Sequence, residues 1–237
     1  MSAAAVELRD LRLRWPGAAS DCLSIDRFEL AAGERVFLQG PSGSGKSTLL
    51  ALIGGVRSPT AGHVAVAGEV LDALSSSARD RFRADHIGFI FQLFNLLPYL
   101  SARDNILLPC RFSAARRARL QRAGRTPDDE VWRLAGRLDL APELLMRRAS
   151  ELSVGQQQRV AAARALIGGP GLIVADEPTS ALDADRQSAF LDLLLGECKA
   201  GGAALLFVSH DPRLAGRFDR VLNLADINHA ADSGSRS

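Results

Sequence analysis

Lysine is nearly missing from this chain of 237 residues: Lys46 and Lys199 are the two among 29 basic residues. Where arginine is the default cation, a retained lysine marks a position that needs a compact ammonium rather than a planar fork. Cysteine is scarce as well. Cys22, Cys110 and Cys198 are odd in number and far apart, which gives no disulfide framework and no metal-binding spacing, and fits a reducing compartment. No run approaches the ~18 apolar residues that cross a bilayer. Charged residues enter MSAAAVELRDLRLRW too early for a secretory apolar core. A net charge of +2 is too small to point to a nucleic-acid partner. Internal repeats, low-complexity linkers and heptad runs are all lacking. With 47% hydrophobic and 24% charged residues, a packed globular core is expected.

Strand and helix signals alternate along the chain. VELRDLRLRW (6–15) alternates apolar and charged side chains and reads as a half-buried strand. FELAAGERVFLQG (28–40) reads as strand, turn and a more buried strand at 35–39. STLLALIGG (47–55) is a helix stopped by glycines, HVAVAGEVL (63–71) an edge strand or hairpin, and HIGFIFQ (86–92) a buried strand. From 93 to about 165 the texture is helical, with segments near 113–123 and 128–138 parted by Gly124 and Pro127. GLIVAD (171–176), AALLFVSH (203–210) and VLNLAD (221–226) return to strand, with a helix near 184–199 between the first two. This order predicts an α/β fold with a mostly parallel sheet, an N-terminal antiparallel β subdomain and an inserted α-helical subdomain. One domain over 1–229 is expected, with the helical block at about 93–165 and a disordered tail at 230–237.

GPSGSGKST (40–48) has the spacing G-x-x-x-x-G-K-[ST] between an apolar strand and an apolar helix. Gly40, Pro41, Ser42, Gly43, Ser44 and Gly45 form a loop whose N–H groups can curl around phosphate oxygens, at a helix N-terminus that favours anions. Lys46 would reach the β- and γ-phosphates, Ser47, which closes the motif, would ligate Mg²⁺, and Thr48 follows it at the phosphate-binding end of the helix. LIVADEP (172–178) ends a strand in Asp176, suited to hold Mg²⁺, and Glu177, suited to orient an attacking water. Gln92 and His210 also follow strand ends, where ligands gather in parallel sheets, and read as γ-phosphate or water sensors. His63, His86 and His229 read as structural. Ser153-x-x-Gln156 in ELSVGQQQRV is a capping box, so a helix starts there despite Gly155.

Taken together, the P-loop, Gln92, LSVGQ, Asp176–Glu177, SALD (180–183) and His210 occur in the order seen in the ATP-binding subunits of ABC transporters. The resemblance spans about residues 6 to 226. It implies two chains paired head to tail around two ATP and Mg²⁺, with Ser47, Gln92 and Asp176 as metal ligands and Glu177, Gln92 and His210 as the catalytic group. It also implies that Ser153, Val154, Gly155 and Gln156 meet the other subunit's ATP, with Gln156, Gln157 and Gln158 near the partner chain. The family pattern has glycine where this chain has Val154, for which a helical φ/ψ is expected. Trp15 either stacks on adenine, as an aromatic there does in the family, or shares a sheet face with Leu11 and Leu13. Asp183 lies at the implied dimer interface and also reads as a helix N-cap.

FNLLPYLSARDNI (94–106) is most similar to the branch of lipoprotein-releasing, macrolide-exporting and cell-division systems. By that resemblance 93–109 is expected to dock on an integral membrane permease, where the residues alone read equally as subdomain core, and the chain is expected at the cytoplasmic face of the inner (plasma) membrane. No nucleic-acid partner is expected. The six arginines between Arg111 and Arg125, with no acid among them, read as a solvated helix face or as a surface for anionic headgroups.

Overall fold

The computed structural model describes residues 4–230. Its strands are Ala4–Leu13 (β1), Leu23–Ala31 (β2), Arg35–Gln39 (β3), Ala61–Val66 (β4), Glu69–Val70 (β5), Ile87–Ile90 (β6), Leu172–Asp176 (β7), Ala204–Val208 (β8) and Arg220–Asn223 (β9). Its helices are Lys46–Ile53 (α1), Ser76–His86 (α2), Ala102–Phe112 (α3), Ala114–Arg122 (α4), Pro127–Arg137 (α5), Val154–Leu166 (α6), Ala184–Gly201 (α7) and Leu224–Ile227 (α8).

Two sheets form. The first, β2-β1-β4-β5, is antiparallel. The second, β6-β7-β8-β3-β9, is parallel throughout. The apolar runs of β7 and β8 are buried on both faces, as central parallel strands must be. Side chains alternate between faces along a strand. Accordingly Val36, Leu38, Val174, Leu206 and Val208 pack with α1 and the antiparallel sheet. Phe37, Ile173, Ala175, Leu205 and Phe207 pack with α3, α5, α6 and α7.

The helical segments are set by their caps. Thr126 and Asp129 form a capping box ahead of α5, with Pro127 at its first turn. Ser101 Oγ accepts the Asp104 N–H at 3.0 Å and starts α3.

Several expectations are corrected. Residues 221–226 are not one strand: β9 stops at Asn223, whose side chain accepts the Ala225 N–H and caps α8. Helix α2 went unread because none of its residues is buried, so no apolar stripe marks it. The arginine block is not simply solvated. Arg116 is 1% exposed and donates to the carbonyls of Ala84 (2.8 Å), Ile87 (2.8 Å), Ala165 (3.2 Å) and Ile167 (2.5 Å). Burial pulls its pKa down to about 10. Arg119 donates to Gly168 O at 2.7 Å and to Asp85 O. These arginines bolt α4 to the carbonyl-rich ends of α2 and α6, the ends that attract cations. Of the expected tail, Ala230 is buried and its N–H reaches Asn228 Oδ1 at 3.2 Å; positions 231–237 lie outside the described residues.

Candidate active site

Strand β3 ends at Gln39 and the chain turns through residues 40–45 into α1. Gly45, the N-cap, has φ +101, so a side chain there would be strained by the backbone, and its Cβ would stand 2.9 Å from Leu23 Cδ2, which would have to shift. Lys46 is buried. Its Nζ donates to Gly40 O at 2.7 Å and Pro41 O at 2.9 Å, so the loop closes around its own ammonium. Ser44 Oγ is buried without a hydrogen-bond partner among the described residues. An orphan hydroxyl in a glycine-rich loop suits an added anion.

Parallel pairing brings the other groups to the same edge. Asp176 ends β7 and its Oδ2 accepts from Ser47 Oγ at 3.2 Å. Burial raises the Asp176 pKa, and the neighbouring Glu177 carboxylate adds to this against the opposing effects of Ser47 and Lys46. A cation at Asp176 would relieve that cost. Glu177 has φ +45, a conformation uncommon for a residue with a Cβ. Its carboxylate lies 3.3 Å from Nδ1 of His210, two residues beyond β8. Gln92 lies two residues beyond β6.

Trp15, Ser42, Gly43, Gly45, Lys46, Ser47, Thr48, Gln92, Asp176 and Glu177 line one cavity of about 460 Å³. Gly40 and Pro41 sit behind it, holding Lys46. His210 touches Glu177 but lines a neighbouring hollow with Thr179, Ser180 and Gln187. Trp15 is past the end of β1 and so shares no sheet face with Leu11 and Leu13; the Arg57 guanidinium lies 4.2 Å from its ring centroid. Among the described residues no three His, Cys, Asp or Glu side chains gather as a metal cluster. The mixed set of Ser47, Gln92 and Asp176 instead fits Mg²⁺, which keeps waters and takes phosphate oxygens.

The signature stretch stands apart. Ser153 caps α6, accepting the Gln156 N–H at 3.4 Å, while the Ser153 N–H reaches Gln156 Oε1 at 2.9 Å. Val154 is the first helical residue and half exposed. A Cβ on Gly155 would meet nothing within 4 Å, so nothing among the described residues requires a glycine there. None of residues 153–156 lines the cavity. Asp183 Oδ1 caps α7 through the Arg186 N–H at 2.9 Å. The glutamines do not all face outward. Gln157 Nε2 donates to Leu152 O at 2.9 Å. Gln158 is buried and donates to Pro178 O at 2.7 Å, which corrects its expected place beside a partner chain.

A model described as ABC transporter matches residues 23–180. The chain belongs to the ABC transporter family. It is 44% identical over 212 residues to the lipoprotein-releasing system ATP-binding protein LolD of Anaeromyxobacter dehalogenans, covering 87% of this chain and 84% of that protein. It is 38% identical over 235 residues to the macrolide export ATP-binding/permease protein MacB of Rhodopseudomonas palustris, covering 98% of this chain but 34% of that longer protein. These relatives fall in the branch that FNLLPYLSARDNI suggests. Among solved structures, a dimeric post-hydrolysis state of the cassette MJ0796 bound to ADP and Pi superposes with a TM-score of 0.79 at 32% identity, covering 92% of this chain and 93% of that one. The chain is thus an ATP-binding and ATP-hydrolysing cassette of transporter type. No helix among its described residues is long and apolar enough to cross a membrane.

Proposed function

We propose that two copies of this ABC cassette close head to tail on two Mg-ATP and drive a separate integral membrane permease of the export or mechanotransmission type. One observation carries the dimer. The P-loop cavity and the signature end of α6 are separate in one chain, and Gly155 faces open space. A second copy supplies what each site lacks: Ser153, Val154, Gly155 and Gln156 of one chain meet the phosphates held by the other, at a helix N-terminus.

Within a site, the N–H groups of residues 42–48 and the Lys46 ammonium bind the phosphates, and Trp15 stacks on adenine. Ser47, Gln92 and Asp176 would hold Mg²⁺, which would supply neutralisation of the charge on the phosphates. Glu177, oriented by His210, places a water in line with the bond to be cut and accepts its proton as oxygen attacks the γ-phosphorus. The bond to the β-phosphate oxygen breaks, leaving ADP and phosphate, and the dimer opens. Asp183 lies at the interface between the two sites.

The permease finds a seat in the groove of about 610 Å³ between α2, β6 and α3, to which the stretch 93–109 contributes Asn95, Leu108 and Pro109. Phe91 and Phe112 open onto it, and Phe112 is 79% exposed. An apolar groove with exposed aromatics suits a partner's amphipathic cytoplasmic helix. The cassette then works at the cytoplasmic face of the inner (plasma) membrane. Glu177→Gln, expected to slow turnover about 10²–10⁴-fold with ATP still bound, traps the closed dimer for a pull-down from native membranes. Recovery of one integral membrane protein in matching amount supports the reading; ribosomes or DNA with no membrane protein would overturn it.

A further inference from the structure

Helix α6 begins at the signature and runs through the core on an alanine-rich face. Polar side chains leave it for the main chain of other segments: Arg159 reaches Asp139 O at 2.6 Å, and Gln158 and Arg164 reach segments beside the active site. Gln158 is 1% exposed, and its Nε2 donates to Pro178 O at 2.7 Å, immediately after Glu177. A left-handed residue such as Glu177 persists only where its surroundings over-determine it. The turn is held accordingly: the Glu177 N–H donates to Val208 O at 2.9 Å, and the Ser180 N–H to Glu177 O at 3.2 Å. From α7, Gln187 Nε2 donates to Thr179 O and Leu182 O, each at 3.1 Å. Among these bonds of the described residues, the Gln158 bond is the one that comes from the helix carrying the signature.

Farther along α6, Arg164 donates to Asn95 O at 2.7 Å and to Phe94 O at 2.5 Å. Phe94 and Asn95 are also left-handed, with φ +59 and +47, and follow Gln92 by two and three residues. At a rise of about 1.5 Å per residue, Gln158 lies about 7 Å and Arg164 about 16 Å along the axis from Ser153. Close packing leaves such a buried helix little freedom to bend, so a shift at its first turn is felt at both side chains.

We propose that Gln158 and Arg164 are positioning residues through which α6 links the signature to its own chain's active site. Engagement of Ser153 and Gly155 by the partner's nucleotide sets the Glu177 turn through Gln158 and the Gln92 loop through Arg164. Each site then reaches full rate only when the other chain's ATP is in place. The inference rests on the head-to-tail dimer proposed above.

The test uses the full chain. Gln158→Met keeps length and removes the donor. Its kcat falls about ten- to a hundredfold while ATP affinity stays within about threefold, and the Hill coefficient for ATP drops toward one. Gln158→Glu behaves likewise at about pH 8 and regains rate toward about pH 6, where the buried carboxylic acid can donate to Pro178 O. Arg164→Gln lowers kcat in the same manner. Wild-type turnover in Gln158→Met with only a lower melting temperature would overturn the proposal. So would parallel loss of kcat and ATP affinity in Gln158→Met with no pH-dependent recovery in Gln158→Glu. Non-cooperative hydrolysis by the wild-type chain would instead sink the dimer reading itself, and normal turnover in Glu177→Gln would sink the assignment of Glu177 as base.

Discussion

Replacing Lys46 by alanine tests the P-loop through an exchange rather than a simple deletion. The Lys46 ammonium donates to Gly40 O and Pro41 O at 2.7 and 2.9 Å. ATP must draw it off those carbonyls. Opposite charges about 4 Å apart at an effective dielectric near 20 attract by about 4 kcal/mol. Giving up the carbonyl bonds returns about 2 kcal/mol of that. The net of about 2 kcal/mol corresponds to roughly 30-fold in Kd. Lys46→Ala is therefore expected to weaken ATP about 30-fold, measured by titration calorimetry, and to weaken AMP by less than about threefold, because AMP lacks the β- and γ-phosphates. Equal losses for ATP and AMP would mean that the loop has collapsed. An ATP affinity within about threefold of wild type would refute the phosphate role altogether.

Trp15→Ala removes the stacking platform and is expected to weaken ATP binding by about 1–3 kcal/mol, roughly 5- to 150-fold in Kd, with kcat kept; unchanged nucleotide affinity would leave Trp15 only its contact with Arg57. Arg116→Met strips donors from four carbonyls in α2, β6 and the α6 end. A loss of about 3–5 kcal/mol in urea unfolding is expected, and a loss below about 1 kcal/mol would contradict the bolting role. Glu197 on α7 is buried, which raises its pKa, but hydrogen bonds from Arg137 and Arg133 of α5 outweigh this and hold it below the ordinary 4.5. A depressed carboxyl contributes stability that is present above its unfolded value and is lost as pH falls through its folded one. Urea midpoints should therefore fall more steeply below about pH 4.5 in wild type than in Glu197→Gln, and identical acid limbs would show that the pair contributes nothing.

Much of this architecture is legible because periodicity and motif agree. The alternation in β1, the apolar runs of β7 and β8, and the P-loop between a strand and a helix each carry their own signal. So does the Ser153 cap, which needs only side chains within a few residues. What escaped depends on partners far away in sequence. Arg116 reads as solvated until α2 and α6 present their carbonyls. Helix α2 lies on the surface with no apolar stripe. Gln158 is the instructive miss, because a signal existed. It lies three, four and seven residues before Ala161, Ala162 and Ala165, on the buried face of α6. Helical spacing alone could have turned it inward, and a buried amide needs a partner. Trp15 could not be placed by alternation, since β1 ends two residues earlier.

The arginine joints have one more consequence. Arg116, Arg119 and Arg164 are fastened to main-chain oxygens. A peptide carbonyl does not titrate, and no point substitution at the acceptor position deletes it. These joints should thus be insensitive to acid, unlike the Glu197 pair in the same helical block. The hydrogen bond itself asks nothing of the acceptor's side chain, although Gly168, with φ +71 and Arg116 Cβ 2.6 Å from where its own Cβ would stand, is held to glycine on other grounds.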